Sequence, residues 1–268
     1  MKKLLTLGLL LCGLMLPFEA SATISLVSSS YGSQNNGSTV TSGAINTTGA
    51  TLIVVTCESN VAPTGVSNTG TADSWNLLTT YGGSNAYTVI AYAYAPATNT
   101  SQTFTCAIGS SDKGYMTVMA WSGTLTTSAV LQTSTGSTTV TPGSITPTVA
   151  GELFISSLST RNSTSCPTIT PPGSFTEVLA GGGCPNAGGN YNPADAAYYV
   201  NSGSGAVNPT WSITGSPSSN ASSMAAFLPA VTYSNGFPGF MRSSADIPWD
   251  ERFDFYDLWK FQGGYFAG

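Results

Sequence analysis

Residues 23–229 alternate short apolar runs with clusters of Gly, Ser, Thr, Asn and Pro. The clearest runs are 51–57, 86–95, 103–108 and 115–121, and Val, Ile, Thr and Tyr dominate them. Runs of this length at roughly ten-residue spacing predict strands of an all-β sandwich or barrel. No segment of this region repeats with a helical period. In the run at 51–57, Leu52 and Val54 point one way and Ile53 and Val55 the other. A strand that is apolar on both faces is a central strand covered on both sides. That favours one larger, jelly-roll-like sandwich over two small ones.

The pattern occurs twice. Thr39-Val40-Thr41-Ser42-Gly43-Ala44-Ile45 lines up with Thr139-Val140-Thr141-Pro142-Gly143-Ser144-Ile145, and Trp75 with Phe175, all at a shift of 100 residues. Leu52-Ile53-Val54 and Leu153-Phe154-Ile155 follow at nearly that spacing. Ala91-Tyr92-Ala93-Tyr94 resembles Ala197-Tyr198-Tyr199-Val200, Phe104 resembles Trp211, and residues 116–121 resemble 224–228. The order is kept throughout, which predicts a duplicated unit of about six strands. The related halves are residues 23–125 and 126–229.

Three stretches carry a family resemblance. They are the segment at 45–55, Asp73-Ser74-Trp75-Asn76-Leu77-Leu78, and Ala91-Tyr92-Ala93-Tyr94-Ala95-Pro96. Together they resemble a widespread group of bacterial and phage-associated proteins that look like secreted β-sandwich modules, similar in layout to lectin-like jelly rolls. The similarity covers about residues 40–228 and rests on strand and turn signatures. It implies a fold, and a fold alone does not fix a function.

The first 22 residues read as a cleaved export signal. Lys2 and Lys3 precede an apolar run at 4–16 and a small-x-small site at Ala20-Ser21-Ala22. The run is shorter than the ~20 residues a membrane span needs. Cys12 leaves with this segment, and the large Leu11 before it argues against a lipoprotein signal. Four cysteines remain: Cys57, Cys106, Cys166 and Cys184. In an exported chain they predict two disulfides among three possible pairings. The favoured pairing is Cys57–Cys106 and Cys166–Cys184, one in each half. A zinc site is disfavoured because no C-x-x-C pair occurs. These features place the protein in a secreted, extracellular or periplasmic setting.

Composition narrows the chemistry. Only 7% of residues are charged, histidine is absent, and net charge is −5. Without histidine there is no His base, His metal ligand or Ser-His-Asp triad. The acidic balance argues against a nucleic-acid partner. The charge poverty belongs to residues 23–229, which hold 8 charged residues; the last 39 residues hold another 8. There, Trp249, Phe253, Tyr256 and Trp259 fall on one stripe of a helix predicted at about 247–261, with Asp250, Asp254 and Asp257 on another face. Asp246 suits its N-cap and Gly263-Gly264 its end. This tail, residues 230–268, is expected either to cover the protein's own sandwich or to dock onto a partner or, in self-association, a neighbouring subunit. The polar face lacks the cations of a membrane-surface helix.

Candidate chemistry within the sandwich is sparse. Asp73, Asp112 and Asp195 are oxygen ligands of the kind calcium takes, but no D-x-D-x-D-G loop is present and Asp is also a common turn residue. Glu58, Glu152 and Glu177 form the short list for a glycosidase pair, with Glu152 read as a solvent-facing strand start. No G-x-S-x-G elbow occurs. Flat rings that stack on sugars are the better material. Tyr81, Tyr87 and Tyr191 lie near the glycine pairs Gly82-Gly83 and Gly188-Gly189 and are assigned as ligand-binding residues, while Trp75 and Phe175 are assigned to the core. The sequence therefore points to an exported, non-catalytic binding or adhesion module for a polysaccharide or cell-surface glycan, without cofactor, metal or membrane span. The alternatives are a structural subunit assembling through its tail and a carbohydrate-active hydrolase using Asp and Glu only.

Overall fold

The computed structural model describes residues 19–162, 164–179, 182–187 and 190–233. The expected leader lies almost wholly outside these residues. The tail helix with Trp249, Phe253, Tyr256 and Trp259 lies outside them altogether. Residues 21–232 form one compact body.

The body is all-β and built on two antiparallel sheets. Seven strands come from the first half: β1 (Ser25–Thr41), β2 (Leu52–Ser59), β3 (Gly65–Asn68), β4 (Asn76–Leu77), β5 (Tyr81–Gly83), β6 (Ala86–Tyr94) and β7 (Phe104–Ser122). They run in the order β1-β7-β2-β6-β4, with β3 also on β7 and β5 on β6. Five come from the second half: β8 (Leu131–Ser137), β9 (Leu153–Arg161), β10 (Thr176–Glu177), β11 (Ala194–Val200) and β12 (Ser219–Phe227), in the order β10-β11-β9-β12-β8. Read from the other edge, the second order repeats the first.

The registers agree as well. Leu52 stands opposite Trp121 and Tyr94. Leu153 stands opposite Phe227 and Val200. Each half keeps its strands in its own sheet. The expected jelly-roll-like layout is corrected on this point, because a jelly roll passes strands back and forth between sheets. The reason lies in the repeat: each half carries its own set of strands and completes a sheet without borrowing one from the other.

The two-faced apolar strands have the predicted consequence. One face of each sheet looks into a shared layer. Leu52, Val54, Ile90, Tyr92, Met119 and Trp121 meet Leu153, Ile155, Ala225 and Phe227 there. Trp121 packs edge-on against Tyr198 at 4.9 Å, and Tyr92 against Phe227 at 5.5 Å. The opposite faces carry outer cores. Ile53, Val55, Cys57, Phe104 and Cys106 lie in one, and Phe154, Leu158, Phe175 and Trp211 in the other. Each fully buried side chain of this size contributes about 1.5–3 kcal/mol relative to exposure.

Both expected disulfides form, Cys57–Cys106 and Cys166–Cys184. The first ties β2 to the start of β7 through the outer core. For loops of 49 and 18 residues the chain-entropy account gives about 4 and 3 kcal/mol. Two disulfides accord with an oxidising environment.

The shared layer changes character along its length. Its far end is polar, with buried Thr56, Glu58, Thr88, Thr117, Ser157, Ser159 and Ser223. The opposite end of the body gathers its joints. The Ala22 N–H donates to the Ala230 carbonyl at 2.7 Å, the Ala230 N–H to Gly123 at 2.8 Å, and the Leu125 N–H to Leu228 at 3.2 Å.

Candidate functional site

A concavity lies on the outer face of the second half. It is a groove of about 540 Å³ between the Pro172–Phe175 turn and the loop at 201–210. Tyr199 of β11 and Phe175 form its aromatic floor, their rings 5.6 Å apart and tilted by 40°. The strand alternation that sends Tyr198 into the shared layer sends Tyr199 outward. Phe154 backs Tyr199 at 6.3 Å. The turn is closed by the Phe175 N–H donating to the Pro172 carbonyl at 2.8 Å.

The walls are uncharged. Ser174, Asn201, Ser202, Asn208 and Thr210 supply amides and hydroxyls. Asn201 anchors one wall through two backbone hydrogen bonds: its N–H donates to Glu152 O and its carbonyl accepts from Gly151 N–H, each at 3.0 Å. Its side-chain N–H donates to the Gly203 carbonyl, and its Oδ1 is left without a partner.

The corresponding place in the first half is crossed by side-chain hydrogen bonds. There Asp73 Oδ1 accepts the Ala97 N–H at 2.7 Å. Gln102 Nε2 donates to Thr69 O at 3.3 Å and to Ala97 O at 3.5 Å, and Thr47 Oγ1 donates to Gln102 Oε1 at 2.9 Å. Trp75, edge-on to Phe104 at 6.0 Å, donates its indole N–H to Asn68. In the second half Gly173 stands where Asp73 would be. Val207 bridges Ile145 as Gln102 bridges Ile45. Neither side-chain tie has a counterpart at Gly173 or Val207, and both residues line the groove. Burial raises the pKa of Asp73 above the ordinary carboxylate value, against the pull of its hydrogen bond from Ala97.

The tyrosines singled out from sequence lie elsewhere. Tyr81 is half-buried, with its ring against Gly136 of β8; a Cβ there would come within 2.2 Å of it. Tyr87, also half-buried, stands opposite Ser59 and Gly82. Tyr191 is half-buried and exchanges backbone hydrogen bonds with Asn162 at 2.8 and 3.1 Å. All three belong to the polar end of the body. Tyr191 precedes β11 and Tyr199 lies near its other end, so most of the seven-residue strand separates Tyr191 from the groove. Trp75 and Phe175 pack against the outer cores as expected, and Phe175 also reaches the groove.

The carboxylates divide into separate roles. Glu152 is fully buried, not solvent-facing. Its Oε1 accepts from Thr148 N–H, Thr148 Oγ1 and Val149 N–H at 2.6, 2.7 and 3.0 Å, fixing the turn before β9. Glu58 and Asp195 are also fully buried, out of reach of a polymer chain. Glu177 is half-buried beside Ala197. The Asp112 side chain lies outside what is described. Among the described residues no three His, Cys, Asp or Glu side chains group as a metal site, and no helix is long and apolar enough to cross a membrane.

Compared with known proteins, the chain matches no protein family, no curated protein and no solved structure.

Proposed function

We propose that this protein is an exported, non-catalytic binding module whose second half takes an uncharged, hydroxyl-rich ligand, a polysaccharide or cell-surface glycan, in the groove over Tyr199 and Phe175. The observation behind this reading is an aromatic floor framed by amides and hydroxyls with no charged side chain on its walls. A ring face offers apolar contact to the C–H face of a sugar, and the walls offer donors and acceptors to its hydroxyls. A charged ligand would find no counter-charge there. In this reading the molecule is a sandwich module of two related halves, akin to the secreted group it resembles. One half keeps its outer face closed and the other has opened it for binding.

A glycan array identifies the ligand class, and titration of one array hit then tests the site. Tyr199→Ala should weaken binding about tenfold or more, equivalent to about 1.4 kcal/mol, with the melting transition retained. If Tyr199→Ala binds normally while Tyr81→Ala, Tyr87→Ala or Tyr191→Ala loses affinity, the site belongs at the polar end. If all four variants bind like the parent, neither face is the site.

A further inference from the structure

At the polar end of the shared layer, Glu58 of β2 stands opposite Tyr115 of β7 on one side and Thr88 of β6 on the other. Across the layer, Ser157 of β9 and Ser223 of β12 complete a hydroxyl triangle with Thr88. The separations are 2.5 Å for Thr88–Ser157, 2.9 Å for Ser157–Ser223 and 3.2 Å for Thr88–Ser223. The Thr56 and Ser157 hydroxyls lie beside the Glu58 carboxyl, yet neither carboxyl oxygen has a hydrogen bond of normal geometry. The Tyr115 hydroxyl and the neighbouring Thr117 Oγ1 are likewise buried without a hydrogen bond of normal geometry.

A loop from the second half lies over this cluster. Gly183 sits against the Tyr115 ring so closely that a Cβ would come within 2.1 Å, and Gly182 faces Asp195 of β11 in the same way at 2.9 Å. The loop is held by paired hydrogen bonds between Gly183 and Ala194, by the Cys166–Cys184 disulfide, and by the Asn186 N–H donating to Asn35 Oδ1 at 2.8 Å.

We propose that this end of the body is a proton-operated latch: neutral Glu58, inside the layer beside Tyr115, and neutral Asp195, on the outer side of β11 beneath Gly182, let the sheets and the 182–187 loop close on one another, and their ionisation releases the loop. A neutral carboxylic acid carries its own donor and can serve an acceptor hydroxyl across the layer. An ionised one only accepts, and in a dry layer its charge must be hydrated. Burial holds the acid form of Glu58 well above its ordinary range, opposed by the Thr56 and Ser157 hydroxyls and reinforced by the negative charge of Asp195. Burial likewise raises Asp195 to about 8, opposed by the Ala196 N–H and reinforced by Glu177. Burial also pushes the Tyr115 hydroxyl upward, with Thr117 opposing and Asp195, Glu58 and Tyr31 adding to it. The cations at this end are Arg161, whose guanidinium donates to Asn190 at 3.4 Å, and Lys113, whose backbone N–H donates to Asn60.

Hydrogen exchange on the intact protein tests the latch, with protection corrected for the intrinsic pH dependence and compared near pH 6 and near pH 9. Peptides covering 182–187 and the adjoining ends of β2 and β11 should lose about tenfold protection at the higher pH, while the apolar end keeps its own. Glu58→Gln and Asp195→Asn, singly and together, imitate the neutral acids and should remove the loss; either single variant suffices if the double variant does not fold. A loss that persists in the neutral variants overturns the proposal. So does protection restored to the parent at high pH by millimolar calcium, which would make the cluster a cation site.

Discussion

The two halves use one strand order and build their outer cores by different chemistry. In the first half Cys57 on β2 bonds to Cys106, which stands opposite Val66. By register, the same two places in the second half belong to Leu158 and Ile213, which stands opposite Ile169. Both lie in or against the second outer core. A covalent bond and an apolar contact thus occupy equivalent positions. The same substitution of means recurs nearby, where Asp73 and Gln102 give way to Gly173 and Val207. The first exchange leaves the layer closed, because an apolar pair still fills the volume. The second opens it, because Gly173 and Val207 lack the side-chain tethers with which Asp73 and Gln102 draw the 95–102 loop across the first half. The difference shows which contacts the strand order requires and which it merely permits.

Giving one half the residues of the other breaks or sharpens this comparison. The largest effect is expected from the disulfide. Cys57→Ser with Cys106→Ser should cost about 4 kcal/mol, roughly 10 °C in melting temperature for a body of this size, read by calorimetry. Cys57→Leu with Cys106→Ile should recover a measurable part of it. If the apolar pair recovers none, the two places are not interchangeable.

Next comes pH. The counterparts of Glu58 and Asp195 are neutral: Ser159 and Val89, by register. An unfolded Asp releases its proton near pH 4, whereas folded Asp195 holds its own to about 8. Between these values the folded state binds more protons, so stability falls as pH rises. The melting temperature should be highest near pH 4 and drop towards pH 8, by about 2–4 °C for each kcal/mol lost. Asp195→Val should flatten the slope. A melting temperature that climbs from pH 4 to 8 in the parent would refute the assignment.

The smallest effect is expected from Asp73→Gly, which copies Gly173. It should remove the Ala97 tether at a cost of about 1–3 kcal/mol and raise hydrogen exchange in the 95–102 loop. Unchanged exchange there would mean that Gln102 alone holds it.

Much of the fold was legible in the sequence because burial on two faces leaves a two-faced record. Leu52 to Val55 shows that record directly, and its counterpart at 153–155 repeats it. The cysteine pairing followed from placing one bond in each half. The groove was not legible. Tyr199 reads as one more outward ring of a β-run, and its exposure depends on a loop that fails to close over it. The one available signal was a mismatch in the repeat, Gly173 against Asp73. Glu152 was misread because its environment is made by Thr148 and Val149 folding back on it, and an acid next to glycine carries no mark of that. The polar latch escaped for a related reason: Glu58 and Ser157 come from distant segments and come together only when the sheets stack, and Asp195 is covered only when Gly182 folds back over it.

The hydrogen bonds at Ala22, Gly123, Leu125 and Ala230 bring the body's entry, its exit and the junction between its halves to one spot. A polypeptide wired this way has an interchangeable reading order. Joining residue 230 to residue 22 through a short linker and opening the chain near residue 126 would place the second half first while leaving every strand pair of the two sheets intact. It also makes the body an insertable cassette, whose two ends leave side by side and ask of a host protein only a single surface turn.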